Sequence, residues 1–158
     1  MINKKNIFYF FLIFLIFLVD RISKNLIIKL AGNNDNLEII ISKFISLNLI
    51  WNRGVAFGLF SFDDNFFYKI LTILISIIII VVLWLIIKSE KVEKYGFIMI
   101  FAGSLGNIYD RFVYSSVPDF IDLHYNDFHW FTFNVADIFI SLGVILLIIN
   151  EIYLKKKK

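Results

Sequence analysis

The chain has 158 residues, of which 59% are hydrophobic and 18% aromatic, with a formal net charge of +3. The apolar share exceeds the roughly half that is usual in soluble domains, and the length suits one domain. Cys is absent and His occurs only at 124 and 129, which excludes disulfides, thiolate catalysis and cysteine-rich metal sites, and no H-E-x-x-H supports a zinc protease.

A bilayer crossing needs about 20 apolar residues, and four segments supply them. The first is "IFYFFLIFLIFLVDRISKNLII" (7–28). It opens like a signal peptide but lacks a small-residue cleavage site, which makes it a retained anchor. Asp20 follows Ile7 by 13 residues, about 20 Å along a helix, in the outer half of the bilayer. Segment 29–65 is polar at first and then alternates β-branched and aromatic residues, which predicts short strands; "NRG" at 52–54 predicts a tight turn. Gly54 and Gly58 permit backbone shapes that other residues resist. Trp51, Phe57, Phe60 and Phe62 suit an outer interface belt.

The second segment, 66–87, is the most uniformly apolar, while the third, 95–113, takes small and polar residues into its second half. Segment 114–133 holds Pro118, the only proline, and both histidines, which read as exposed loop residues with no role. The fourth segment, 134–154, completes the set. With no repeat and no linker, the expected fold is a membrane α-helical protein. It is a bundle of four transmembrane helices forming one domain over 1–158, with a small extracytoplasmic β-rich lobe between helices one and two.

Basic clusters set the direction. Lys4 and Lys5, Lys88, Lys91 and Lys94, and the tail 155–158 each flank an apolar segment, as the positive-inside bias places them in the cytoplasm. Both termini are then cytoplasmic, and 29–65 and 114–133 face outward. The basic tail can touch anionic lipid; nothing here reads as a nucleic-acid surface, and a monomer is expected.

This orientation gathers the unusual polar residues near one level, the outer membrane surface: Asp20 and Lys24, Asn107, Asp110 and Arg111, Asp119, Asn134 and Asp137. Each also has a plainer use. Asp20 and Lys24 have the i, i+4 spacing of an intrahelical pair, Arg21 can snorkel outward, and Asp110 and Arg111 can end a helix in a structural network. Asn134 can cap the fourth helix, and Asn52 can be a turn residue. Asp137, three residues into that helix, gains from its N-terminus, and Pro118 stiffens the approach to Asp119. Charge in hydrocarbon is costly and marks function. Two carboxylates that share one proton can activate water against an amide carbonyl and protonate the leaving nitrogen. A non-enzymatic carrier relaying protons through Asp20, Asp110 and Asp137 would use similar residues.

"DRISK" (20–24), "NRGVAFG" (52–58), "AGSLGNIYDRFVYSSVPDF" (102–120) and "FNVADIFI" (133–140) resemble, in order, the four blocks of the lipoprotein signal peptidase (signal peptidase II) family. The resemblance implies an aspartic peptidase of the bacterial inner membrane. Such an enzyme removes the signal peptide of diacylglyceryl-modified prolipoproteins just before the lipidated cysteine and uses no metal or cofactor. It implies Asp119 and Asp137 as the catalytic pair and Asp20, Lys24, Asn52, Asn107, Asp110, Arg111 and Asn134 as substrate-binding or site-supporting residues. The chain departs from the family pattern at Arg21, where Gln is usual, and at Ala102 and Ser115, where Gly is usual.

Overall fold

The computed structural model describes residues 4–32, 38–54 and 65–155. In chain order they form α1 (Lys4–Ala31), β1 (Glu38–Ser42), β2 (Ile45–Asn52), α2 (Asn65–Lys88), α3 (Lys91–Tyr114), β3 (Val117–Tyr125), β4 (Phe128–Phe133) and α4 (Val135–Lys155). Gly58, Phe57, Phe60 and Phe62 lie outside the described residues, so the belt expected of them stays an expectation.

Among the described residues two helices are long and apolar enough to cross a membrane, Phe66–Lys88 and Val135–Tyr153, and only 17% of the most apolar stretch of each is buried. A soluble core helix of that hydropathy would be covered by its neighbours. Here the exterior is apolar all round: Phe10 and Phe11 on α1, Ile80 and Ile87 on α2, and Ile148 on α4 are exposed. Charge lies inside instead, with Asp20, Lys24 and Asp110 fully buried. That inversion is what a hydrocarbon solvent selects.

The four strands make one antiparallel sheet in the order β1-β2-β3-β4. The β-rich region expected between helices one and two is therefore only half of the sheet. Segment 114–133, where the sequence predicts a loop, supplies β3 and β4. The acids Asp119 and Asp122 and Pro118 interrupt the apolar alternation there, and pairing with β2 makes the strand: Trp51 stands opposite Pro118 and Ile50 opposite Asp119. At the β1–β2 turn, Ser42 Oγ accepts the backbone N–H of Phe44 and of Ile45, both at 3.2 Å, a hydroxyl standing in for a backbone acceptor. An apolar core of Ile27, Ala31, Leu49 and Phe120, with Trp51 and Val135 against it, joins the end of α1 to the sheet and to the start of α4.

Helices α3 and α4 approach closely along a row of small residues. A Cβ on Gly103 would lie 2.5 Å from the carbonyl oxygen of Ala136, and one on Gly143 would lie 2.6 Å from that of Gly96. Small residues at such a seam let two backbones touch, which drives helix association where hydrophobicity cannot. Because the obstacle at 103 is backbone, Gly103→Ala is expected to push α3 and α4 apart and lower stability by about 1–3 kcal/mol, read as an earlier unfolding transition in detergent.

Candidate active site

α4 begins with a reciprocal cap. Asn134 Oδ1 accepts the Asp137 N–H at 3.1 Å, while Asp137 Oδ2 accepts the Asn134 N–H at 3.2 Å. This is the capping-box arrangement, with an acid three residues into the helix answering the capping side chain. Asn134 has a second task, because its Nδ2 donates to Asp119 Oδ1 at 2.5 Å. One residue thus donates to both carboxylates, from its side-chain amide to Asp119 and from its backbone N–H to Asp137. Asn52, at the end of β2, donates to the other Asp119 oxygen at 2.8 Å, and Asn107 on α3 donates to Asp137 Oδ1 at 2.8 Å. All four carboxylate oxygens accept a hydrogen bond, three of them from asparagine side-chain amides. Both acids and Asn134 are buried.

Beneath the pair lies a network of two acids and two cations. Lys24 Nζ donates to Asp110 Oδ2 at 2.7 Å and to Asn107 Oδ1 at 2.8 Å, and stands 3.0 Å from Asp20 Oδ2. Lys24 therefore holds the Asn107 carbonyl and turns the amide toward Asp137. Arg21 does not snorkel. Its guanidinium grips both oxygens of Asp110 at 2.5 and 2.7 Å, and reaches Asp20 Oδ2 at 2.8 Å. The Tyr109 ring lies 4.9 Å from it. Two fully buried carboxylates provide a stronger pull than the membrane surface, so the side chain turns inward. Asp20 Oδ1 in turn accepts the Ala136 N–H at 3.0 Å, tying α1 to the first turn of α4. A Cβ on Gly106 would strike the Asp20 carboxylate, so that glycine makes room for the network.

Arg111 stands to one side. It donates to the Gly54 carbonyl, and Gly54 N–H donates to Asn52 Oδ1 at 2.7 Å. That is the turn "NRG" suggested, with an asparagine side chain mimicking a backbone turn. Arg111 thus reaches Asp119 through Gly54 and Asn52. Among the described residues, no further buried acid or base lies along the helices toward Lys88 or Lys155. The charges form a closed cluster and not a path across the bundle, which counts against a proton-relaying carrier.

Burial, reinforced by the charge of Asp137, pushes the Asp119 carboxyl up to about 7 against the hydrogen bonds from Asn52 and Asn134. At neutral pH the pair can therefore hold one proton on Asp119. Beside Asp137 a shallow apolar groove of about 260 Å³ is lined by Phe131, Phe133, Ile138, Ser141 and Leu142.

A model of the Signal peptidase (SPase) II family matches residues 12–153. The chain belongs to the signal peptidase II family. It is 49% identical over 158 residues to a lipoprotein signal peptidase of Pelagibacter ubique (strain HTCC1062), covering 99% of this chain and 95% of that one. It is 40% identical over 157 residues to the lipoprotein signal peptidase of Francisella tularensis subsp. novicida (strain U112), with 94% of each covered. A bacterial membrane enzyme solved by the in meso method superposes with a TM-score of 0.77 at 28% identity, over 95% of this chain and 90% of that chain. Membership in the signal peptidase II family makes the chain a peptidase, and its structural neighbours are membrane enzymes.

The three departures from the family pattern now have a physical context. Arg21 is the second cation of the buried network. Ser115 ends α3 in the left-handed region, at φ 55 and ψ 24, where glycine carries no steric penalty and serine costs about 1 kcal/mol. Ala102 is buried on α3; its single methyl fills space that glycine would leave open. Sequence reasoning missed the inward turn of Arg21 and placed both histidines in a loop. His124 lies on β3 and His129 on β4, directly opposite one another.

Proposed function

We propose that this chain is an aspartic endopeptidase of the bacterial inner membrane that removes the signal peptide from diacylglyceryl-modified prolipoproteins, cutting just before the lipidated cysteine. The observation that carries the reading is the sharing of Asn134 by Asp119 and Asp137, with the Asp119 carboxyl raised to about 7 by burial and by its partner.

The chemistry follows from one proton on two acids. Ionised Asp137 takes a proton from water as the water oxygen attacks the scissile carbonyl carbon. Protonated Asp119 hydrogen-bonds the carbonyl oxygen as charge builds there. Collapse of the tetrahedral intermediate breaks the C–N bond as Asp119 gives its proton to the leaving nitrogen, and the proton taken from water leaves the pair again with one. The asparagines hold the acids in place, and the neutral charge network holds Asn107 and α4. The apolar groove beside Asp137 suits an acyl chain or the apolar part of a signal peptide arriving through the bilayer.

In this reading all four helices span the membrane, both termini are cytoplasmic, and the sheet covers the site on the outer side as part of a single domain. Asp20, Lys24, Asn107, Asp110, Arg111 and Asn134 support the site, and Asn52 faces the substrate beside Asp119. The test is processing of one precursor with and without its diacylglyceryl group, by wild type and by Asp119→Asn. Cleavage of the lipidated form by wild type alone is the expected result. Equal cleavage of a matched unlipidated peptide would overturn the substrate, and full activity of Asp119→Asn would overturn the pair.

A further inference from the structure

Away from the two acids, the sheet carries a second cluster with a different chemistry. Asp122 and His124 are two residues apart on β3, and alternation puts them on one face of the strand. The β3–β4 hairpin sets His129 opposite His124, with the two rings 5.4 Å apart and inclined by 31°. His129 Nδ1 lies 2.6 Å from Asp122 Oδ2, and His124 Nδ1 lies 3.6 Å from the same oxygen. One ligating atom from each of the three residues falls within 4.8 Å of the other two.

We propose that Asp122, His124 and His129 bind one zinc-class divalent cation on the sheet, separate from the Asp119–Asp137 pair. Zinc sits about 2.0–2.2 Å from imidazole nitrogen and carboxylate oxygen, so ligands around a tetrahedron stand about 3.4 Å apart. The cluster is near that spacing. The His129–Asp122 contact has to open by under an ångström, His124 Nδ1 already stands 3.6 Å from the same oxygen, and no pair of ligating atoms is more than 4.8 Å apart. Two imidazoles and one carboxylate are the donor set that zinc accepts and magnesium does not.

An independent observation points the same way. Asp122 is 1% exposed, yet among the described residues its Oδ1 has no hydrogen-bond partner. A buried carboxylate oxygen left unsatisfied is costly, and a cation held by both oxygens of Asp122, with Oδ2 toward the histidines, removes that cost. Ser46 on β2 stands behind the cluster. Its hydroxyl is 3.1 Å from Asp122 Oδ2 and 3.5 Å from His124 Nδ1, placed to orient the ligating groups. The His129 side chain is 57% exposed, so the ion has an open approach and room for a water as its fourth ligand. With three ligands from β3 and β4, the ion would clamp the hairpin whose first strand carries Asp119, about 10 Å away at the usual rise per strand residue.

The alternative is a metal-free hydrogen bond between His129 and Asp122, and glutamine separates the two. His129→Gln keeps an amide donor for Asp122 but is a poor zinc ligand, and it sits on an exposed position that tolerates the change. Full-length protein without a polyhistidine tag, stripped with chelator in detergent, is titrated calorimetrically with Zn²⁺ and with Mg²⁺, and its melting is followed. The expected result is one Zn²⁺ per chain, a higher melting temperature with Zn²⁺, no comparable Mg²⁺ uptake, and at least about tenfold weaker Zn²⁺ binding in His129→Gln and in His124→Gln. Should His124→Gln fail to fold, His129→Gln decides. No one-to-one Zn²⁺ uptake by the wild type, undiminished affinity in a folded variant, or equal uptake of Mg²⁺ overturns the proposal.

Discussion

Asp137→Asn is expected to lower cleavage of a diacylated precursor by at least about 10²–10⁴-fold, the usual range for losing one acid–base group, while the protein still inserts and folds. Asparagine matches aspartate in size, and its amide oxygen can still accept the Asn134 N–H that Asp137 accepts at 3.2 Å. The cap of α4 is then kept. What disappears is the proton acceptor and the charge beside Asp119. Processing by the purified variant, alongside its melting temperature, checks this. Substantial residual cleavage would remove Asp137 from the chemistry.

The same pair gives a pH dependence with a definite sign. The folded Asp119 carboxyl is raised from 3.8 to about 7, so over that window the folded state holds a proton that the unfolded chain has released. Stability contributed by this group is complete below the lower value and is lost as pH rises through about 7. Activity should fall over the same upper limb as Asp119 loses the proton it donates. Asp119→Asn should be inactive, yet more stable than wild type above pH 7, with the difference vanishing in acid. Melting curves of both proteins across this range test the sign.

Lys24→Met is expected to destabilise the protein by about 3–5 kcal/mol, the cost of leaving a buried charge uncompensated. Asp20, Arg21, Lys24 and Asp110 balance as a set, and Lys24 and both acids are fully buried. With Lys24 gone, two carboxylates share one guanidinium. The double variant Lys24→Met, Asp110→Asn restores neutrality and should recover a large part of the loss. It should not recover cleavage, because Lys24 also holds Asn107 at 2.8 Å, and Asn107 holds Asp137. Unfolding in detergent reads the first effect and precursor processing the second. A single variant as stable as wild type would show that the network carries no such burden.

Much of this was legible in the chain itself. The helices were visible because a long apolar run has few alternatives, and the gathering of Asp20, Asp110, Asp119 and Asp137 at one end followed from helix length and the basic flanks. The capping use of Asn134 was open to reading because it depends on neighbours within four residues. The sheet was half hidden. β3 is a strand because β2 pairs with it across some 70 residues, and no local pattern announces such a partner. Arg21 misled for a related reason: on its own helix it has only Asp20, and the carboxylate that turns it inward comes from Asp110 on α3. The histidines give no signal in the sequence for the same reason: only pairing with β2 and β4 makes their segment a strand, and in a loop Asp122 and His124 share no face.

The long separation in that charge network also bears on biogenesis. To that network α1 brings one acid and two cations, Asp20, Arg21 and Lys24, and the remaining anion, Asp110, is 86 residues beyond Lys24. Until the ribosome has delivered α3, the nascent first helix carries an unmatched positive charge. If α1 spans the membrane as proposed, its deep seating in lipid is expected to wait for the arrival of α3.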